Sequence, residues 1–169
     1  LLRRDRLHPL AEARIVGLVV VGEGVLGRVD LLLNSAGIAD HTPTDKITLA
    51  RFQEVMDANL TSAFLCCRAA IPYLKRSKAG RIINVASMGG RLVFPYYSLY
   101  HGTKWAVEGF SESLRFELEP LGIKIKIIEP GAIKTDFYDR SNDSTLNSSP
   151  NDYKQLAERA FKNMNKAGE

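Results

Sequence analysis

Tyr100 and Lys104 stand four residues apart in the stretch YYSLYHGTK. On a helix that spacing lays both side chains on one face, where an ammonium beside a phenol favours the phenolate. A free phenol titrates near about 10, too high for efficient base work at neutral pH, and a neighbouring cation lowers it. The other pairs at this spacing, Tyr96 with Tyr100 and Tyr97 with His101, offer no such chemistry. Ser87 closes the run RIINVAS, thirteen residues before Tyr100. At the carboxyl end of a buried parallel strand it would face the crevice where open α/β sheets bind ligands, able to hydrogen-bond a substrate oxygen while the tyrosine passes a proton. Taken singly, Ser87 reads as a turn cap and Tyr100 as a packing residue.

These residues need elements to position them, and the chain supplies an alternation of short apolar runs and longer helical patterns, the mark of βαβ units. VDLLLN, RIINVAS and IKIKIIEP read as buried strands. Residues 44–56 carry Ile47, Leu49, Phe52, Val55 and Met56 near helical spacing, and residues 59–75 do the same with Leu60, Phe64, Leu65 and Ile71. They predict two helices or one bent helical stretch. A long helix over residues 100–118 is stopped by Pro120 and Gly122. Residues 139–152 read as a polar loop, able to act as a lid over substrate, and residues 153–164 as a last amphipathic helix.

The stretch VVVGEGVLG, residues 19–27, matches G-x-G-x-x-G after an apolar run. That fingerprint works when the glycine turn opens a helix whose amides face a pyrophosphate. Here only Arg28 separates Gly27 from the strand VDLLLN, so no helix can follow. The expectation is instead the end of a helix, with Gly27 as its left-handed cap, although Gly22, Gly24 and Val19 to Val21 make a poor helix.

With 169 residues, 45% hydrophobic and 25% charged, the chain fits one ordinary globular domain. Its net charge of +4 is scattered apart from Arg3, Arg4, Arg6 and Arg14, and suggests no nucleic-acid surface. No apolar run approaches the roughly 20 residues that span a bilayer. No signal peptide is expected, since no small-residue cleavage site follows the apolar start. Cys66 and Cys67 are neighbours on a helix and point apart, so free thiols and a cytoplasmic location are expected. No metal site is expected, and the N-x-S/T sequons at Asn59, Asn142 and Asn147 read as chance matches.

Taken together, these pieces resemble the short-chain dehydrogenase/reductase family over residues 29–137. Asn34-Ser35-Ala36-Gly37 is similar to the family's N-N-A-G turn, with Ser35 in place of the second Asn. Asn59 falls where the family has its catalytic asparagine, Ser87 matches the catalytic serine, and Tyr100 with Lys104 matches Y-x-x-x-K. Pro130, Gly131, Ile133 and Thr135 match P-G-x-I-x-T. The resemblance implies a Rossmann-like α/β fold, a doubly wound parallel sheet in three α/β/α layers, here incomplete, as a single partial domain over residues 1–169.

It also implies an NAD(P)-dependent oxidoreductase interconverting a secondary alcohol and a ketone. Tyr100 would be the acid/base and Lys104 would lower its pKa and bond the nicotinamide ribose. Ser87 would orient the substrate oxygen and Asn59 would hold a water in a proton relay. Asn34, Ala36 and Gly37 would lie along the adenosine half of the cofactor. Pro130, Gly131, Ile133 and Thr135 would bracket the nicotinamide. The plainer readings are a strand cap at Asn34 and a turn at Pro130-Gly131. Leu92, Val93, Phe94, Phe137 and Tyr138 would form an apolar mouth for a lipid, steroid-like or aromatic substrate, or simply pack their loops.

The family's helices corresponding to residues 59–75 and 100–118 make subunit contacts, which implies a homodimer or homotetramer. The family's T-G-x-x-x-G-x-G phosphate turn and second strand find no match, so NAD and NADP are not distinguished. Both features are expected upstream of Leu1, and the last strand of the sheet is also unmatched. The alternatives are a truncated, catalytically silent chain serving as an interaction or dimerisation module, and a nucleotide sensor without turnover.

Overall fold

The computed structural model describes residues 18–21, in backbone only, and residues 29–131. Three strands run parallel: β2 (Leu31–Asn34), β3 (Arg81–Val85) and β4 (Lys124–Ile128). Their register sets Leu32 beside Ile82 and Ile82 beside Ile125. These three side chains point to one face and are buried there by Cys67, Ala70, Leu74, Leu114 and Leu118 from two helices. Among the described residues the helices that pack on the sheet all lie on this face. The α/β, Rossmann-like architecture expected from the sequence is present.

β1 (Leu18–Val21) pairs with β2 on its free side, giving the order β1-β2-β3-β4, and runs antiparallel. This corrects the helix-end expectation: Val19, Val20 and Val21 belong to a strand, as β-branched residues favour. It also adds one antiparallel pairing to a sheet expected to be parallel. The proposed cap at Gly27 lies outside the described residues, as do residues 132–169 with their expected loop and helix.

The two helical patterns join into one continuous helical stretch over residues 49–74. Thr44–Lys46 is a separate 3-10 turn, so the helix starts later than expected. Thr48 starts it, its Oγ1 accepting from the Arg51 N–H at 3.1 Å. α1 (Leu49–Met56) passes through a π-helical turn at Asp57–Thr61 into α2 (Ser62–Leu74). Of the apolar positions on α1 only Val55 is buried, while Leu49 is 80% exposed. α3 (Ser98–Leu118) begins two residues earlier than the pattern suggested, and a turn at Glu119–Leu121 leads to Gly122, whose φ of 75° ends it. Cys66 and Cys67 are free thiols, both pushed up in pKa by burial, Cys67 to about 12. No helix among the described residues is long and apolar enough to cross a membrane.

Candidate active site

The carboxyl ends of β2, β3 and β4 carry Asn34, Ser87 and Pro130 respectively, and α3 packs over the turn after β3. On α3 the expected pair meets: Lys104 Nζ lies 5.7 Å from the centroid of the Tyr100 ring. Both residues are buried. Lys104 Nζ donates to the Val85 carbonyl at the end of β3 at 3.1 Å. Burial pushes the Lys104 ammonium down to about 8, and the Glu108 carboxylate opposes that shift. A desolvated cation aimed at a strand end is poised to act on the neighbouring phenol.

Ser87 caps a 3-10 turn, its Oγ accepting from the Gly89 N–H at 3.0 Å. The cap uses one lone pair, which leaves the hydroxyl proton for a substrate oxygen. The structural and chemical readings of Ser87 are therefore compatible. The turn lies flat on α3 because Gly89 and Gly90 have no side chains. A Cβ on Gly89 would stand 2.8 Å from His101 Cδ2 and 3.3 Å from Tyr100 Cε1. The Met88 N–H donates to the Pro130 carbonyl at 2.9 Å, joining the Pro130-Gly131 turn to the Ser87 turn.

Asn59 sits in the π-helical turn, a device often found at functional sites because it re-aims one side chain. Its Oδ1 accepts from the Ile38 N–H at 2.8 Å, and its Nδ2 donates to the Ile38 carbonyl at 3.0 Å and to Thr103 Oγ1 at 2.9 Å. Thr103 in turn donates to the Tyr100 carbonyl at 2.7 Å. Asn59 thus ties the turn after β2 to the first turns of α3. Both amide protons are spent, so a water would have only Oδ1 to bind on this side chain. Asn59→Ala leaves the half-buried Ile38 amide and carbonyl and the buried Thr103 hydroxyl without these partners and should lower stability by about 1–3 kcal/mol. Urea unfolding of the variant beside the parent checks this.

The turn after β2 behaves differently at its two ends. Asn34 turns its side-chain amide into the core: its Nδ2 donates to Asn84 Oδ1 at 2.8 Å and contacts Cys67 Sγ at 3.3 Å. Asn84 continues the chain to Ser111 Oγ at 2.8 Å, inside the core. Ala36 and Gly37 are half-exposed, and a Cβ on Gly37 would lie 3.3 Å from Lys104 Nζ and 3.5 Å from Asn59 Oδ1. The absent side chain leaves space directly before the lysine, where a ribose could approach.

Ile133, Thr135, Phe137 and Tyr138 lie outside the described residues. Leu92 and Val93 are 54% and 72% exposed beside the site. The Tyr97 and His101 pair, without evident chemistry in the sequence, forms the floor of that loop. The rings stack at 5.3 Å, and His101 Nδ1 accepts from the Phe94 N–H at 3.3 Å. Burial lowers the His101 pKa, which keeps the imidazole neutral and able to accept.

Three parallel strands with Asn34, Ser87 and Pro130 at or just beyond their carboxyl ends have the architecture of the nucleotide-binding type. The model of the short chain dehydrogenase family matches residues 13–145. This chain belongs to that family. It is 35% identical over 140 residues to a 3-ketodihydrosphingosine reductase of Bacteroides thetaiotaomicron, covering 83% of this chain and 52% of that protein. Among solved structures, a 4-hydroxyisoleucine dehydrogenase complexed with NADH superposes with a TM-score of 0.60 at 29% identity, over 71% of this chain and 50% of the other. A metagenomic short-chain oxidoreductase in complex with NADP gives 0.59 at 29%, over 63% and 48%. The chain spans about half the length of the curated relatives it matches.

Proposed function

We propose that the protein is an NAD(P)-dependent oxidoreductase that interconverts a secondary alcohol and a ketone, with Tyr100 as its acid/base. The observation that carries this reading is Lys104, a buried ammonium held by the Val85 carbonyl with its Nζ 5.7 Å from the Tyr100 ring centroid. The relatives crystallised with NADH and NADP support a nicotinamide cofactor without choosing between the two. The residues fit such a group: Gly37 leaves room before Lys104, and the Pro130-Gly131 turn is bonded to the Ser87 turn across the strand ends. A bound nicotinamide supplies or accepts the hydride.

The chain's own residues handle the proton. In reduction the Tyr100 hydroxyl protonates the carbonyl oxygen, and in oxidation its phenolate takes the alcohol proton. Lys104 stabilises the phenolate by its charge and bonds the ribose. Ser87 donates to the substrate oxygen as charge builds there. Asn59 holds the turn bearing Ala36 and Gly37 against α3, and its remaining Oδ1 site is the place for a relay water. Ile133 and Thr135 complete the nicotinamide side in this reading.

The exposed Leu92 and Val93 favour an apolar ketone. Phe64, Trp105 and Phe116, 42%, 50% and 71% exposed on α2 and α3, support a homodimer or homotetramer built through these helices. The free Cys66 and Cys67 suit a reducing, cytoplasmic setting. Titrating the protein with NADH and with NADPH, followed by nicotinamide fluorescence, should give saturable enhancement with at least one of them. No binding of either would overturn the proposal.

A further inference from the structure

Glu108 continues the stripe of Tyr100 and Lys104, one helical turn further along α3, and it is a costly residue to place there. Its side chain is only 6% exposed, and its Oε1 has no hydrogen-bond partner among the described residues. A buried carboxylate oxygen left unbonded costs stability, and such a group is retained where its charge has a role. The surroundings are arranged to hold it. Arg91, from the turn after β3, donates through Nη2 to Glu108 Oε2 at 3.0 Å and to Glu129 Oε1, beyond the end of β4, at 3.2 Å. Gly90 makes space for the carboxylate: a Cβ there would stand 2.9 Å from Glu108 Cγ and 3.2 Å from the Lys104 carbonyl. Loop, helix and strand end thus close on one carboxylate directly behind the lysine.

We propose that Glu108 is a positioning residue for the Tyr100 and Lys104 pair: its carboxylate, fixed by Arg91, keeps the Lys104 side chain charged beside the phenol. This rests on the acid/base reading of that pair. Lys104 is faced by Tyr100 and Glu108 from its own helix, by the neutral Gly37 from the turn after β2 and Asn59 from the π-helical turn, and by the Val85 carbonyl from β3. Burial pushes the Glu108 carboxyl up, Glu129 and Glu112 push the same way, and Arg91 and Lys104 favour its charged form. Glu108 is the charged group among the described residues that raises the Lys104 pKa against the effect of burial. The two are not in contact as an ion pair, since Nζ is directed to Val85, so Glu108 acts through its field.

The test is to follow the Lys104 ε-methylene by NMR across pH in the whole protein carrying 13C-labelled lysine, with Lys104→Met assigning the signal. The midpoint should lie near about 8 in the parent. Glu108→Gln keeps the shape and removes the charge, and should move the midpoint to lower pH. Glu108→Asp keeps the charge and shortens the reach, and should stay closer to the parent. The apparent pKa of the oxidation profile should rise in Glu108→Gln, because a less charged lysine lowers the phenol's pKa less.

An unmoved midpoint in Glu108→Gln, or equal shifts in both variants, would overturn the proposal. Should Glu108→Gln not fold, the reciprocal measurement decides, since coupling between two sites is mutual. Lys104→Met should then raise the Glu108 carboxyl midpoint, and no change would overturn the proposal. The Lys104 midpoint is read without turnover. A shift in Glu108→Gln alongside full activity in Tyr100→Phe would sink the acid/base reading and leave the coupling standing.

Discussion

Replacing Tyr100 with phenylalanine is expected to slow carbonyl reduction about 10²- to 10⁴-fold, the usual worth of a positioned acid, and to leave the fold in place. The ring is what the structure packs. Its edge meets Tyr97 at a centroid distance of 6.1 Å, Lys104 Nζ lies 5.7 Å from its centre, and the Gly89 turn rests on it. Phenylalanine keeps all of these contacts and loses only the hydroxyl. Stability should stay within about 1 kcal/mol of the parent, and NAD(P)H binding should persist. An activity loss accompanied by loss of folding would not support an acid role, so the two are measured on the same preparation.

Lys104→Met is expected to act in opposite directions on activity and stability. Activity should fall at least about 10²-fold, because the phenol loses the cation that favours its charged form. Stability at pH 7 should rise. Lys104 titrates at about 8 in the fold against an ordinary 10.5, so its charged form pays for burial. At about 1.4 kcal/mol per pKa unit, removing that ammonium is worth about 3 kcal/mol. Losing the bond to the Val85 carbonyl takes back about 1 kcal/mol.

The pH dependence has a definite sign. Below about 8 both folded and unfolded lysine are protonated and the burial cost is felt in full. Between about 8 and 10.5 the unfolded chain holds a proton that the folded chain has released, so parent stability rises with pH across that window. The methionine variant lacks this rise, and its advantage should shrink by pH 10. Urea unfolding at pH 7 and pH 10 checks both points, and an advantage equal at the two pH values would contradict the assigned burial cost.

Much of this site was legible because it depends on local spacing. Tyr100 and Lys104 needed only a helix to meet, and the apolar periodicity of residues 100–118 provided one. The three parallel strands were found within a residue or two, being apolar runs bounded by turns. What depends on parity or on distant partners was not legible. Leu31, Leu32 and Leu33 are all apolar, so no alternation showed that Asn34 shares the inward face with Leu32. Its turn into the core toward Asn84 is set by the neighbouring strand.

Strand direction is likewise absent from a run such as Val19 to Val21, and the antiparallel sense of β1 shows only in its pairing with β2. The π-helical turn at Asp57–Thr61 goes with Asn59 reaching Ile38 and Thr103, contacts 21 and 44 residues away. Arg91, Glu108 and Glu129 join three elements and leave no local pattern. The one available signal for Glu108 was its spacing of four from Lys104.

On the proposed reading, the site moves a proton through Tyr100 while a nicotinamide exchanges hydride with a carbonyl carbon. The most direct measurement supplies NADH or NADPH carrying deuterium at the reactive C4 position together with an apolar ketone, and analyses the alcohol by mass spectrometry. Deuterium is expected on the carbinol carbon with the parent protein, and label transfer slowed at least about 10²-fold in Tyr100→Phe. Label transfer at the same rate in both proteins would contradict it.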